Sequence, residues 1–145
     1  MRLIIQRVSK TSVKVKEKKV GKISRGLFVL VGVKKGDSYK DAEILAEKLY
    51  KLRIMADKAG KMNLSVSDTD GQFLVVSQFT LYADTSGGNR PSFINSAEPT
   101  EAKKVYEHFL SKLKEKGAKV ETGIFGEYME ISAELDGPVT IVLET

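Results

Sequence analysis

The sequence predicts an α/β fold in one domain spanning residues 1–145: a mixed sheet, two helices on one face and additional antiparallel strands layered on the other. Three observations carry this expectation. Short runs rich in β-branched residues occupy both ends of the chain, two amphipathic segments at helical spacing lie between them, and each of those segments follows a strand-like run. A chain of 145 residues can bury about two-thirds of its unfolded surface without a disulfide or a structural metal.

Leu3 to Val8 and Val13 to Val15 are strand-like, and the second run meets Val20 and Ile23 across a polar connection at Glu17 to Lys19, giving two or three early strands. "GLFVLVGV", Gly26 to Val33, is a continuous apolar run too short for a typical helix, so it reads as a strand covered on both faces. Gly36-Asp37-Ser38 offers a cap, and Ala42, Leu45, Ala46, Leu49 and Leu52 then fall on one face of a helix from about Asp37 to Arg53. "ADKAGKMNLSVSDTDGQ" is turn-rich, after which Phe73 to Val76 resume a strand. Pro99 suits a first helical turn, Ala102, Val105, Phe109, Leu110 and Leu113 follow at helical spacing, and Gly117 closes the segment. Val120 to Ile124, Met129 to Leu135 and Val139 to Leu143 are the last three strands, the final pair joined by a tight Asp136-Gly137-Pro138 turn.

Composition narrows the function. With no Cys, disulfide scaffolds, thiolate zinc sites and a Cys nucleophile are excluded. "MRLIIQRVSK" is charged too early for a signal peptide, and no segment approaches the roughly 20 apolar residues that span a bilayer, so a soluble, cytoplasmic protein is expected. Asn63-Leu64-Ser65 then has no meaning as a glycosylation acceptor. The net charge of +5 is compatible with a polyanionic partner, although Lys- and Glu-rich helix faces look much the same in ordinary solvated proteins.

Chemical candidates are few. The single histidine, His108, has no carboxylate placed by sequence logic to orient it and reads as structural, so a Ser-His-Asp triad has little support. No metal site or cofactor is expected. Gly87-Gly88 lacks the spacing of a phosphate-cradling loop. Tyr82 and Phe93 flank Arg90 and are read as packing anchors before base-stacking residues. What remains is "SQFT", Ser77 to Thr80: three polar residues at the end of a strand whose earlier part looks covered on both faces. Strand ends in layered α/β proteins leave backbone N–H groups free for a ligand. Gly137-Pro138 raises a parallel question, because proline removes a ladder donor from whichever strand it enters.

"SQFTL" at Ser77 to Leu81 and "GPVT" at Gly137 to Thr140 together resemble the two signature motifs of the D-aminoacyl-tRNA deacylases. The likeness runs the length of the chain, through "MRLIIQRV", "GLFVLVGV", "LRIMADKAGKMNLS", "NRPSF", "TGIFG" and "DGPVTIVLE" in family order. It implies a three-layered α/β/β homodimer that hydrolyses the ester of D-aminoacyl-tRNA, with some Gly-tRNA cleavage, and releases free tRNA. In that likeness Ser77, Gln78, Phe79 and Thr80 form the catalytic segment, and the N–H groups of Phe79 and Thr80 are the oxyanion donors. Gly137, Pro138, Val139 and Thr140 contact the substrate from the other subunit, through a Gly-Pro bond that is cis in the family. Arg7 buttresses that turn, and Phe125 and Met129 lie near the terminal adenosine. Two residues depart from the family pattern: Leu135 stands where Asn is usual, and Glu127 where Ala is usual. The rival readings are a non-catalytic RNA-binding dimer and an esterase or amidase of another small acyl compound.

Overall fold

The computed structural model describes Met1–Thr145 throughout. Its elements are β1 (Arg2–Val15), β2 (Lys18–Ile23), β3 (Gly26–Gly32), α1 (Tyr39–Tyr50), β4 (Met55–Ala56), β5 (Met62–Leu64), β6 (Gln72–Ser77), a 3-10 turn (Phe79–Tyr82), α2 (Pro99–Glu115), β7 (Val120–Thr122) and β8 (Glu130–Glu144). The main sheet runs β2-β1-β3-β6-β7, with β8 on the free edge of β1. β1 is antiparallel to β2, β3 and β8, whereas β3, β6 and β7 are parallel. The parallel trio comes from two successive crossovers, through α1 and through α2. Such crossovers are right-handed, and two that advance in the same direction place both helices on one face.

The helices pack on each other and on the sheet. Leu45 and Leu49 of α1, and Phe109 and Leu113 of α2, meet Leu3, Ile5, Leu27, Val29, Phe73 and Val75 in one core. The opposite face carries a smaller core of Val8, Val13, Ile23, Phe28, Leu74 and Val76, because β2 curls back against β6 and β7 in a nearly closed barrel. β3 and β6 are thus covered on both faces, as their unbroken apolar runs required.

The two early runs are one strand: β1 continues through residue 15, and the turn into β2 is made by Lys16 and Glu17, both at positive φ, one residue earlier than the expected polar connection. Two positive-φ residues form the mirror-image turn that matches strand twist. α1 is shorter than the expected Asp37–Arg53. Asp37 stays outside it because its carboxylate accepts from the Met1 ammonium (2.7 Å) and the Lys34 N–H (2.6 Å). Ser38 instead opens the helix, donating its N–H and hydroxyl to Asp41 at 2.8 and 2.7 Å, which holds the Asp41 carboxyl down at about 2. The turn-rich segment contains a small β4–β5 hairpin that its polar composition hid.

The expected hairpin at Asp136-Gly137-Pro138 does not form. β8 is a single strand antiparallel to β1 along its whole length, and its register jumps from Leu135, opposite Val8, to Thr140, opposite Gln6. Residues 136–139 therefore bulge out opposite Arg7. A chain reversal would have left one edge of β1 unpaired over half its length, whereas a bulge keeps both halves of β8 on the ladder.

Candidate active site

β6 runs out of ladder at Ser77, its partner Val31 being next to the end of β3. The Gln78 N–H still reaches the Val31 carbonyl at 2.8 Å, and the chain then tightens into the 3-10 turn. The first N–H groups of a helical turn have no partner within it, so Phe79 and Thr80 present such groups at the end of a buried strand. Gly32 lets this turn sit directly on β3. A Cβ there would lie 3.0 Å from Leu81 Cβ and 3.2 Å from Tyr82 Cε2. Arg2 clamps the far side, its guanidinium 4.9 Å above the Tyr82 ring and its Nη1 donating to the Leu81 carbonyl at 2.5 Å. Burial, reinforced by the Asp37 charge and opposed by Arg2, pushes the Tyr82 hydroxyl up to about 12.

The turn borders a cavity of about 570 Å³ lined by 19 residues, 12 of them hydrophobic. Ser77, Gln78, Phe79, Tyr106, Phe125 and Met129 are among the lining residues. Tyr106 is buried and donates its hydroxyl to the Val75 carbonyl at 3.0 Å, and desolvation raises its pKa well above the ordinary tyrosine range. It is a fixed part of that lining. Phe93 meets Phe79 edge to face at 4.9 Å, and the buried Ser96 donates its hydroxyl to the Phe79 carbonyl at 3.0 Å. Gln78 Nε2 donates to the Thr80 hydroxyl. The carboxylates on the lining are Glu98 and Glu127, the latter a departure from the expected family pattern.

Among the expected site residues, Ser77, Gln78, Phe79, Phe125 and Met129 line this cavity, and Thr80 follows Phe79 in the turn without lining it. Arg7, Gly137, Pro138, Val139 and Thr140 lie elsewhere. Four residues along β3 and three strand spacings across β3, β1 and β8 separate the bulge from Ser77, about 20 Å at normal sheet dimensions. At the bulge, Arg7 Nε donates to the Asp136 carbonyl (3.1 Å) and meets its carboxylate (3.0 Å), while Nη1 donates to the Ile54 carbonyl (2.9 Å). The Gly137–Pro138 bond is cis and both residues are exposed. Gly137 has φ +139, and a Cβ there would lie 2.7 Å from Val139 N, so only glycine fits the bulge without strain. Gln6 Nε2 donates to the Thr140 hydroxyl at 3.5 Å.

His108 is distant from this chemistry. It stacks on Tyr39 at 4.5 Å, and, contrary to the sequence reading, a carboxylate does orient it: Glu43 of α1, 2.9 Å from Nε2. Tyr82 and Phe93 serve as packing partners, as expected. No cluster of three or more His, Cys, Asp or Glu side chains able to hold a metal ion occurs, and no helix is long and apolar enough to cross a membrane. Tyr106 and Ser96 were missed by sequence reasoning. Tyr106 is indistinguishable from any core position of α2, and Ser96 is one polar residue among several in a loop.

Fold and cavity define a mixed α/β protein whose main cavity opens at the carboxyl ends of parallel strands, beside the 3-10 turn. The chain belongs to the D-Tyr-tRNA(Tyr) deacylase family, whose model matches residues 4–144. It is 54% identical to a D-aminoacyl-tRNA deacylase of Thermotoga petrophila and 52% identical to one of Aquifex aeolicus, covering all of this chain and 97% and 98% of those proteins. Among solved structures it is similar to a c-Myc DNA unwinding element binding protein, with TM-score 0.93 and 37% identity over 100% of this chain and 99% of that one. A probable eukaryotic D-amino acid tRNA deacylase shares the fold at TM-score 0.84 and 15% identity, covering 99% and 98% of the two chains.

Proposed function

We propose that this protein hydrolyses the ester of D-aminoacyl-tRNA, and of Gly-tRNA, as a homodimer in the cytoplasm. The observation that carries the reading is the 3-10 turn of Phe79 to Tyr82, whose leading N–H groups stand at the edge of a cavity large enough for a terminal nucleoside. The names of its relatives supply the substrate class.

The chemistry asks little of side chains. An aminoacyl ester is an activated acyl group, so holding it in place and stabilising the tetrahedral oxyanion suffice. Water adds to the ester carbonyl, its oxygen becomes an oxyanion accepting from the Phe79 and Thr80 N–H groups, and the C–O bond to ribose breaks. The proton lost by water ends on the ribose oxygen, by way of the substrate's neighbouring 2'-hydroxyl. Each main-chain donor contributes about 3 kcal/mol to the transition state. Phe125 and Met129 form the apolar wall against the terminal adenosine.

Chirality is selected by the bulge of a second subunit. Within one chain the two motifs stand about 20 Å apart by strand geometry, which favours a meeting in trans. β8 exposes Ile131, Leu135 and Val142 beside the bulge, apolar area suited to a copy of itself. Carbonyls of Gly137 and Pro138 would hold the substrate ammonium group and leave no room for an L side chain. A thousandfold preference needs only about 4 kcal/mol, within reach of one collision with a rigid backbone. Matched D- and L-Tyr-tRNA test the reading: the D ester is expected to be cleaved and the L ester spared. Equal rates would remove the chirality argument, and a monomer by sedimentation would remove the shared site.

The net charge of +5 and the likeness to a DNA unwinding element binding protein favour a second reading, a nucleic-acid-binding dimer without catalysis. Binding of uncharged tRNA with no turnover of any aminoacyl-tRNA would select it.

A further inference from the structure

We propose that Ser96 is a positioning residue for hydrolysis: its hydroxyl locks the peptide unit between Phe79 and Thr80 so that the Thr80 N–H faces the ester oxygen. This rests on the reading of Phe79 and Thr80 as oxyanion donors.

The Phe79 carbonyl and the Thr80 N–H belong to one planar trans unit and point in opposite directions. A hydrogen bond that holds one end of the unit therefore aims the other. Ser96 Oγ makes that bond, donating to the Phe79 carbonyl at 3.0 Å, and no other side chain donates to it. Were the unit to rotate, a carbonyl lone pair would replace an N–H donor in front of a developing negative charge. Phe79 is 56% exposed, and beyond the turn's own main-chain bonds the Ser96 hydroxyl is the side-chain donor that opposes that rotation.

Ser96 is itself firmly mounted. It is 8% exposed, and its N–H donates to the Phe93 carbonyl at 3.0 Å. The residues on either side are tied to the segment that follows β3: the Lys35 N–H donates to the Asn95 carbonyl and the Ala97 N–H to the Val33 carbonyl, both at 3.0 Å. The Gln78 N–H is anchored to β3 as well, through Val31. The lock and the catalytic turn thus share one rigid reference. The series from Ser96 hydroxyl to Phe79 carbonyl to Thr80 N–H to oxyanion also aligns successive dipoles, and aligned hydrogen bonds polarise one another in a medium of low dielectric. The hydroxyl is committed to the Phe79 carbonyl. It acts through the peptide unit alone.

The test is steady-state deacylation of D-Tyr-tRNA by wild type, Ser96→Ala, Ser96→Thr and Ser96→Val. Removing one oriented hydrogen bond behind a donor, and not the donor itself, is expected to lower kcat about 5- to 30-fold. KM should stay within about twofold, because Ser96 is buried and is only one of the 19 residues that line the cavity. Ser96→Thr, which keeps the hydroxyl, should retain kcat within about threefold, whereas Ser96→Val, of the same shape without it, should fall as far as Ser96→Ala. The Thr and Val pair keeps the comparison valid if Ser96→Ala folds poorly. Equal kcat for the Thr and Val variants, or a loss seen in KM and not in kcat, overturns the proposal while leaving deacylation intact. A wild-type protein inactive on D-Tyr-tRNA overturns the underlying reading and this one with it.

Discussion

Gly32→Ala tests whether the 3-10 turn, in its proposed catalytic role, works through its placement on β3. The added methyl would lie 3.0 Å from Leu81 Cβ, 3.2 Å from Tyr82 Cε2 and 3.3 Å from the Gln78 carbonyl, against a comfortable carbon–carbon separation of about 3.5–4.0 Å. β3 is held on both sides by β1 and β6, so the turn must yield, by about half an ångström or more. Overpacking of this kind costs about 1–3 kcal/mol, which for a domain of this size lowers Tm by about 3–10 °C. Activity should suffer out of proportion, since a misplacement approaching 1 Å costs about 100-fold. The expected outcome is a folded protein with wild-type sedimentation and circular dichroism, a melt a few degrees lower, and a kcat on D-Tyr-tRNA reduced by about 10- to 100-fold. A variant within twofold of wild-type kcat would refute the claim that main-chain placement at residues 78–81 carries the chemistry.

Three further outcomes are expected. Gly137→Ala drives a Cβ to 2.7 Å from Val139 N at a φ of +139, so the bulge must move, and the ratio of D- to L-Tyr-tRNA hydrolysis should fall at least about 10-fold; an unchanged ratio would separate the bulge from stereochemistry. Arg7→Ala leaves the Ile54 and Asp136 carbonyls without their donor and should cost about 2–4 kcal/mol in urea unfolding, with Arg7→Lys restoring only part because an ammonium cannot span both; a loss below about 0.5 kcal/mol would show that the bulge needs no buttress. Asp41 has a folded pKa of about 2 against 3.8 unfolded, so its contribution to stability is complete above pH 3.8 and disappears as pH falls through 2. In Ser38→Ala the Asp41 carboxyl resonance should titrate closer to 3.8, and the melting difference from wild type should shrink as pH falls through 2; a resonance still titrating near 2 would assign the shift to something other than the Ser38 hydroxyl.

Local patterning alone determined where most elements lie in this protein. The unbroken run of Gly26 to Val33 could only be a strand covered on both faces, the 3.6-residue spacing through Ala42 to Leu49 and Ala102 to Leu113 could only be helix, and the strand–helix alternation required crossovers and hence parallel strands. The "SQFT" stretch was legible as a site because its polarity contradicted its neighbours. Tertiary structure alone decided the rest. Asp136-Gly137-Pro138 has the composition of a turn, and whether it reverses the chain or merely bulges depends on the 14-residue β1 offering an open edge, a partner more than a hundred residues away. His108 acquired Glu43, and Phe79 acquired Ser96, through pairings between elements that no local spacing encodes. Hydrophobic periodicity is a property of neighbouring residues and survives in the unfolded chain, whereas the partner of a given carbonyl exists only once distant segments share a sheet.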